Sequence, residues 1–103
     1  MKTPAPEISV EDLKSKFAAN EDFLLIDVRE PEEFASSRIP GSVLIPKAAF
    51  FDATALDRLP RDKEIILHCR SGVRSAHCLA IIQGAGFMNS RHLSGGILAW
   101  EKQ

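Results

Sequence analysis

Cys69 heads the segment Cys69-Arg70-Ser71-Gly72-Val73-Arg74-Ser75, in which a thiol is followed by two guanidinium groups, two hydroxyls and a glycine. Those residue types suit a thiolate held in an anion cradle. The preceding Glu64-Ile65-Ile66-Leu67-His68 is a short apolar run of strand character, and Ser75 to Ile82 reads as a helix, so Cys69 falls where a strand ends and a helix begins. At such a junction successive backbone N–H groups and the positive end of a helix dipole converge on an anion. Gly72 permits a positive φ, and small Ser71 leaves the backbone open to a ligand. Arg70 and Arg74 are expected to add fixed positive charge, so that Cys69 ionises well below the free-thiol value of about 8.5. Such a thiolate is a nucleophile, or the carrier of an additional sulfur atom. A cysteine used only for packing is the plainer alternative. It is disfavoured because burying two unpaired arginines beside an apolar thiol costs energy, whereas aiming them at an anion uses their charge and fork geometry.

The elements that must position this loop alternate between strand and helix. Ser9 caps an expected first helix over Val10 to Ala18, with Asp12 at its third position, and Asn20 ends it. Phe23-Leu24-Leu25-Ile26-Asp27-Val28 is a continuous apolar run, as expected of a strand covered on both faces. A short helix around Pro31 to Ala35, a turn and short strand from Ile39 to Pro46, and a weakly helical stretch from Ala48 to Leu56 follow. After the Cys69 loop and its helix, Gly84-Ala85-Gly86 is a stop, Ser90 to Leu93 a last short strand, and Gly95-Gly96 open a final helix carrying Trp100. The pattern predicts an α/β fold, a mostly parallel central sheet of about five strands with helices on both faces. In such a sheet ligands bind beyond the carboxyl ends of the strands, where Cys69 and Asp27 both fall. Asp27 and Arg29 are therefore candidates to support the loop. Plainer roles are preferred for both: Asp27 satisfying backbone N–H groups in a turn, and Arg29 ion-paired with Glu30, Glu32 or Glu33.

With 103 residues the chain is expected to form one domain over 1–103, with a flexible N-terminal segment over 1–6. A 45% apolar and 26% charged composition is that of a soluble globular domain, and a net charge of −1 gives no general attraction to nucleic acid or an acidic membrane. No apolar stretch is long enough to span a bilayer, and the N-terminus lacks the apolar core of a signal peptide. Two cysteines do not make a disulfide framework, and a reducing cytoplasm suits a cysteine that must stay free.

The Cys69 to Ser75 loop resembles the active-site loop of the rhodanese family, sulfurtransferases that carry sulfane sulfur as a cysteine persulfide. Asp27-Val28-Arg29-Glu30 with Glu33-Phe34 resembles the family's first signature, Ile39-Pro40-Gly41-Ser42 with Ile45-Pro46 its next segment, and Gly86-Phe87, His92-Leu93, Gly95-Gly96 and Trp100 its C-terminal signature. The likeness runs from about Ile8 to Trp100 in the expected order. Ser37-Arg38-Ile39 departs from the usual Gly-His-Ile, at a position read as structural. The loop and the ending are also similar to the C-terminal rhodanese domain of enzymes that adenylate and sulfurate ubiquitin-like sulfur carriers.

The resemblance implies that Cys69 takes sulfur from thiosulfate or a persulfide, with the loop N–H groups and Arg70 to Ser75 binding the anion. A thiophilic acceptor then removes it: cyanide in vitro, a thiol or a sulfur-carrier protein in the cell, with a cysteine desulfurase as another protein partner. Two half-reactions imply ping-pong kinetics and require no metal or organic cofactor. The alternatives are a tyrosine-phosphatase-like or arsenate-handling enzyme and a non-catalytic binding module. Related phosphatases place five residues between cysteine and arginine, where Arg70, Ser71, Gly72 and Val73 intervene here, and binding modules commonly lack the cysteine. Zinc binding by the His68-Cys69 and His77-Cys78 pairs and His92 is disfavoured, because strand neighbours point to opposite faces. Cys78 is expected to be an apolar helix residue, and His77 and His92 to serve surfaces or caps. Phe50 and Phe51 are expected in the core, with one of them a possible contact for a protein substrate.

Overall fold

The computed structural model describes residues 6–103. Five strands and five α-helices alternate along it: β1 (Glu7–Ile8), α1 (Val10–Ala18), β2 (Phe23–Asp27), α2 (Pro31–Ser36), β3 (Val43–Leu44), α3 (Lys47–Phe51), a 3-10 turn (Thr54–Arg58), β4 (Glu64–His68), α4 (Val73–Gly84), β5 (Ser90–Leu93) and α5 (Gly96–Glu101). The strands form one sheet in the order β1-β5-β4-β2-β3, and every pairing is parallel. The fold is thus the expected α/β one, with the sheet wholly rather than mostly parallel.

Period-two alternation along the central strands divides the core. Leu24 and Ile26 of β2, with Ile65 and Leu67 of β4, pack on one face against Phe50, Ala55, Cys78, Leu79 and Ile82 of α3, the 3-10 turn and α4. Leu25 and Ile66 point the other way, into a second cluster with Val10 and Leu13 of α1 and Ile97 of α5. Ser9 caps α1 as expected, its hydroxyl accepting the Asp12 N–H at 3.0 Å.

β1 was not foreseen. A two-residue strand carries no periodic signal, and it exists because its backbone pairs with β5, Glu7 beside His92 and Ile8 beside Leu93. Of the segment expected to be flexible over 1–6, residues 1–5 lie outside the described residues. The Pro6 carbonyl accepts the His92 N–H at 3.1 Å. The Ala48 to Leu56 stretch divides at Ala53, whose φ of 68° interrupts α3 before the 3-10 turn. That division separates the two phenylalanines: Phe50 is 1% exposed in the core and Phe51 is 58% exposed. Among the described residues no helix is long and apolar enough to cross a membrane.

Cys69 follows directly on β4, the middle strand of the five. The chain leaves β2 toward β3 on one side of the sheet and leaves β4 toward β5 on the other, so the ends of β2 and β4 flank the switch point where parallel α/β sheets bind ligands. Register places His68 level with Asp27 across this gap.

Candidate active-site loop

The six residues after Cys69 wrap around its sulfur. Gly72, the residue before α4, has φ +114°, a conformation costly for any residue with a Cβ. This turn brings the Gly72 N–H to 3.0 Å from Cys69 Sγ. Ser75, in the first turn of α4 and fully buried, sets its Oγ 3.5 Å from the same sulfur. Burial, which leaves Cys69 1% exposed, pushes the thiol up, but the Ser75 hydroxyl and the N–H groups of Ser75, Gly72 and Ser71 outweigh it, and the net shift is downward. Cys69 is therefore the more acidic of the two cysteines. Burial pushes Cys78 up to about 12, which fits the apolar helix role expected of it.

The arginines do not supply this stabilisation in the expected way. Arg74 turns to α2 and makes a bidentate ion pair with Glu33, Nη1 to Oε1 at 2.7 Å and Nη2 to Oε2 at 2.9 Å. The same carboxylate accepts the Glu30 N–H at 2.9 Å, so Glu33 joins the start of α2 to α4. Its pairing with Arg74 holds Glu33 at about 2, well below the usual carboxylate range. Arg70 is exposed at the rim, as are Ser71 and Val73, the latter 63% exposed.

Asp27 and Arg29 pair with each other rather than with the glutamates proposed for Arg29. Arg29 Nε lies 2.9 and 3.0 Å from the two Asp27 oxygens, and Nη2 lies 2.7 Å from Oδ2. Asp27 also accepts the Arg29 N–H at 3.0 Å, the turn-satisfying role expected of it. Arg29 Nη2 reaches on to the Ser37 carbonyl at 2.6 Å, within the segment read as structural. Both residues are at most 4% exposed, so losing either partner would strand a buried charge at a cost of about 3–5 kcal/mol. Together they tie the end of β2 to the segment that follows α2. His68, fully buried next to them, is pushed down by burial against the pull of Asp27. Its Nδ1 sits 3.3 Å from the Cys69 carbonyl, and its Nε2 has no hydrogen-bond partner among the described residues.

Sequence reasoning missed the brace behind the loop. The N–H groups of Ile97 and Leu98 donate to the carbonyls of Cys69 and Arg70 at 2.9 and 3.1 Å. Gly96 lies so close that a Cβ there would meet the Arg70 carbonyl oxygen and stand 2.6 Å from that of Cys69, at a φ of +60°. The signal was present in Gly95-Gly96, read only as a helix start. His92, expected at a surface or cap, is 4% exposed, with Nδ1 2.9 Å from Ser75 Oγ. His77 is exposed, as expected.

Residues 9–103 match the family described as Rhodanese-like domain. The Mycobacterium tuberculosis protein named "Probable adenylyltransferase/sulfurtransferase MoeZ" is 42% identical over 96 residues, which are 93% of this chain but 24% of MoeZ, so the chain spans about a quarter of that relative. A protein named "Sulfurtransferase" from Allochromatium vinosum is 34% identical over 96 residues, 93% of this chain and 88% of its own length. The crystal structure of a rhodanese-related protein from Thermoplasma volcanium superposes with a TM-score of 0.82 at 30% identity, covering 94% of this chain and 91% of that one.

Two predictions follow from the loop's supports. Gly96→Ala forces the Cys69 and Arg70 carbonyls to move. It should lower the urea midpoint by the equivalent of about 1–3 kcal/mol, as overpacking does, and slow alkylation of Cys69 at pH 7; unchanged alkylation would show that the brace does not shape the loop. Glu33→Gln removes a carboxylate whose pKa falls on folding, so the stability it contributes is complete above the usual value of 4.5 and is lost as pH falls toward about 2. The difference in urea midpoint between wild type and variant should accordingly be largest at pH 6–7 and shrink below about pH 4.

Proposed function

This chain belongs to the rhodanese-like domain family, and from that premise we propose that it is a sulfurtransferase in which Cys69 carries sulfane sulfur as a persulfide. The observation that carries this reading is the Cys69 sulfur at a strand end, 3.0 Å from the Gly72 N–H and 3.5 Å from the Ser75 hydroxyl, contacts that pull the thiol down against its burial. In the first half-reaction the thiolate attacks the outer sulfur of thiosulfate or of a donor persulfide. A new S–S bond forms at Cys69, the donor's S–S bond breaks, and sulfite or a thiolate leaves with the electron pair. The persulfide's terminal sulfur is anionic, and the N–H groups of the loop are the dipoles suited to hold it.

In the second half-reaction an acceptor attacks that outer sulfur and Cys69 leaves as a thiolate, stabilised by the contacts that lowered its pKa. We assign Arg70, exposed at the rim, to attracting anionic donors, and Arg74, tied to Glu33, chiefly to holding the loop against α2. Thiosulfate or a persulfide is the donor class in this reading, and a thiol or the activated C-terminus of a sulfur-carrier protein the acceptor. A cysteine desulfurase would serve as a protein donor. Both cysteines are free, and the reducing cytoplasm keeps them so.

Intact mass tests the reading. Reduced, desalted protein incubated with thiosulfate should gain one sulfur atom that cyanide removes, and Cys69→Ser should gain none. Absence of a gain with thiosulfate and with small persulfides alike would overturn it.

A further inference from the structure

His92 is a buried titratable side chain that the sulfur-transfer steps leave unused, and its two ring nitrogens face different partners. Nδ1 lies 2.9 Å from Ser75 Oγ, which in turn lies 3.5 Å from Cys69 Sγ. Nε2 lies 3.5 Å from a carboxylate oxygen of Glu7 on β1, a side chain that is 52% exposed. The four side chains form a path from the buried sulfur to the surface, hydrogen-bonded as far as His92 and completed by the approach of Glu7 to the ring. β1 supplies its outer end, which is a reason for that two-residue strand to pair with β5 at His92.

A carboxylate beside Nε2 favours a proton on that nitrogen and leaves a lone pair on Nδ1. The Ser75 hydroxyl then donates to Nδ1, and its oxygen accepts the Cys69 S–H; the Gly72 carbonyl, 3.2 Å from Ser75 Oγ, is the hydroxyl's other acceptor. We propose that His92 is a positioning residue that takes up the Cys69 proton through Ser75. On ionisation the thiol proton passes to Ser75 Oγ as Ser75's own proton passes to His92 Nδ1, and the S–H bonding pair stays on Sγ. The new hydroxyl proton points at the thiolate, Nδ1–H donates to Ser75, and the imidazolium faces Glu7. The transfer needs no outside reagent.

The surroundings support this direction. Burial pushes the His92 ring down, and against it the Glu7 carboxylate favours the imidazolium that proton uptake creates. Glu7 is the charged group set against the ring among the described residues. The other titratable or charged groups near Cys69 are His68 at the end of β4, with Nδ1 3.3 Å from the Cys69 carbonyl, the exposed Arg70, and on α4 Arg74, held by Glu33, and Cys78, whose thiol stays protonated.

The inference rests on Cys69 being the reactive thiol, and it is tested without any sulfur donor, so its failure is distinct from failure of the sulfurtransferase reading. The measurement is the pH dependence of Cys69 alkylation by iodoacetamide in wild type, His92→Phe and His92→Asn, with folding checked by circular dichroism. Asn keeps an N–H for Ser75 but takes up no proton. We expect both variants to raise the alkylation midpoint by about one pH unit or more, a roughly tenfold slower reaction below it. An Asn variant that titrates like wild type would overturn proton uptake and leave His92 only a hydrogen-bond role. Should either variant fail to fold, the imidazole ring titration of His92 by NMR decides in its place. The step that accompanies Cys69 ionisation in the wild type should vanish in Cys69→Ala, and a ring titration indifferent to that change would overturn the proposal.

Discussion

The Cys69 loop depends on how closely the backbone of α5 approaches the carbonyls of Cys69 and Arg70. There is no room for a Cβ at Gly96, and the two N–H groups that follow it take both carbonyls as hydrogen-bond acceptors. With those carbonyls drawn back, the peptide N–H groups of the loop are free to turn toward the sulfur, and the left-handed Gly72 turns its own N–H to 3.0 Å from Sγ. The cradle proposed for the anion is therefore made from both sides. One glycine allows the approach that pins the carbonyls, and the other allows the turn that aims a donor.

Dipoles rather than net charge do most of the stabilising at the sulfur. The guanidinium groups of Arg29 and Arg74 are each matched by a carboxylate, Asp27 and Glu33, and these pairs join β2, α2 and α4 around the strand ends. Fixed N–H groups and a buried hydroxyl suit a carrier whose charge moves from Sγ to an outer sulfur and back, because they need no reorganisation as it does so. Unpaired arginines buried against the same sulfur would bring a desolvation penalty of several kcal/mol for each ion.

The architecture was legible because apolar runs of strand length recur with helices between them, and the candidate site stood out because cysteine, glycine, serine and arginine were contiguous. What could not be read was partnership across the sheet. Arg29 had three nearby glutamates to choose from and took Asp27, two residues back, because the turn after β2 presents both oxygens of that carboxylate to it. Arg74 found Glu33 because α2 lies beside α4, a tertiary fact with no trace in local pattern. His92 is a polar residue in a short strand, and only the register of β5 against β1 and its packing against α4 show that it faces Ser75 and Glu7. β1 itself is too short to announce itself.

The central claim, that the N–H groups after Cys69 hold the transferred sulfur, is tested most directly by amide NMR of the protein before thiosulfate, after thiosulfate, and after cyanide. Loading should shift the amide protons of Arg70 to Ser75 downfield more than any others, and cyanide should return them. A protein that gains sulfur while those amides stay unmoved would contradict the claim, because the sulfur would then be held outside the cradle that Gly72 and Gly96 make possible.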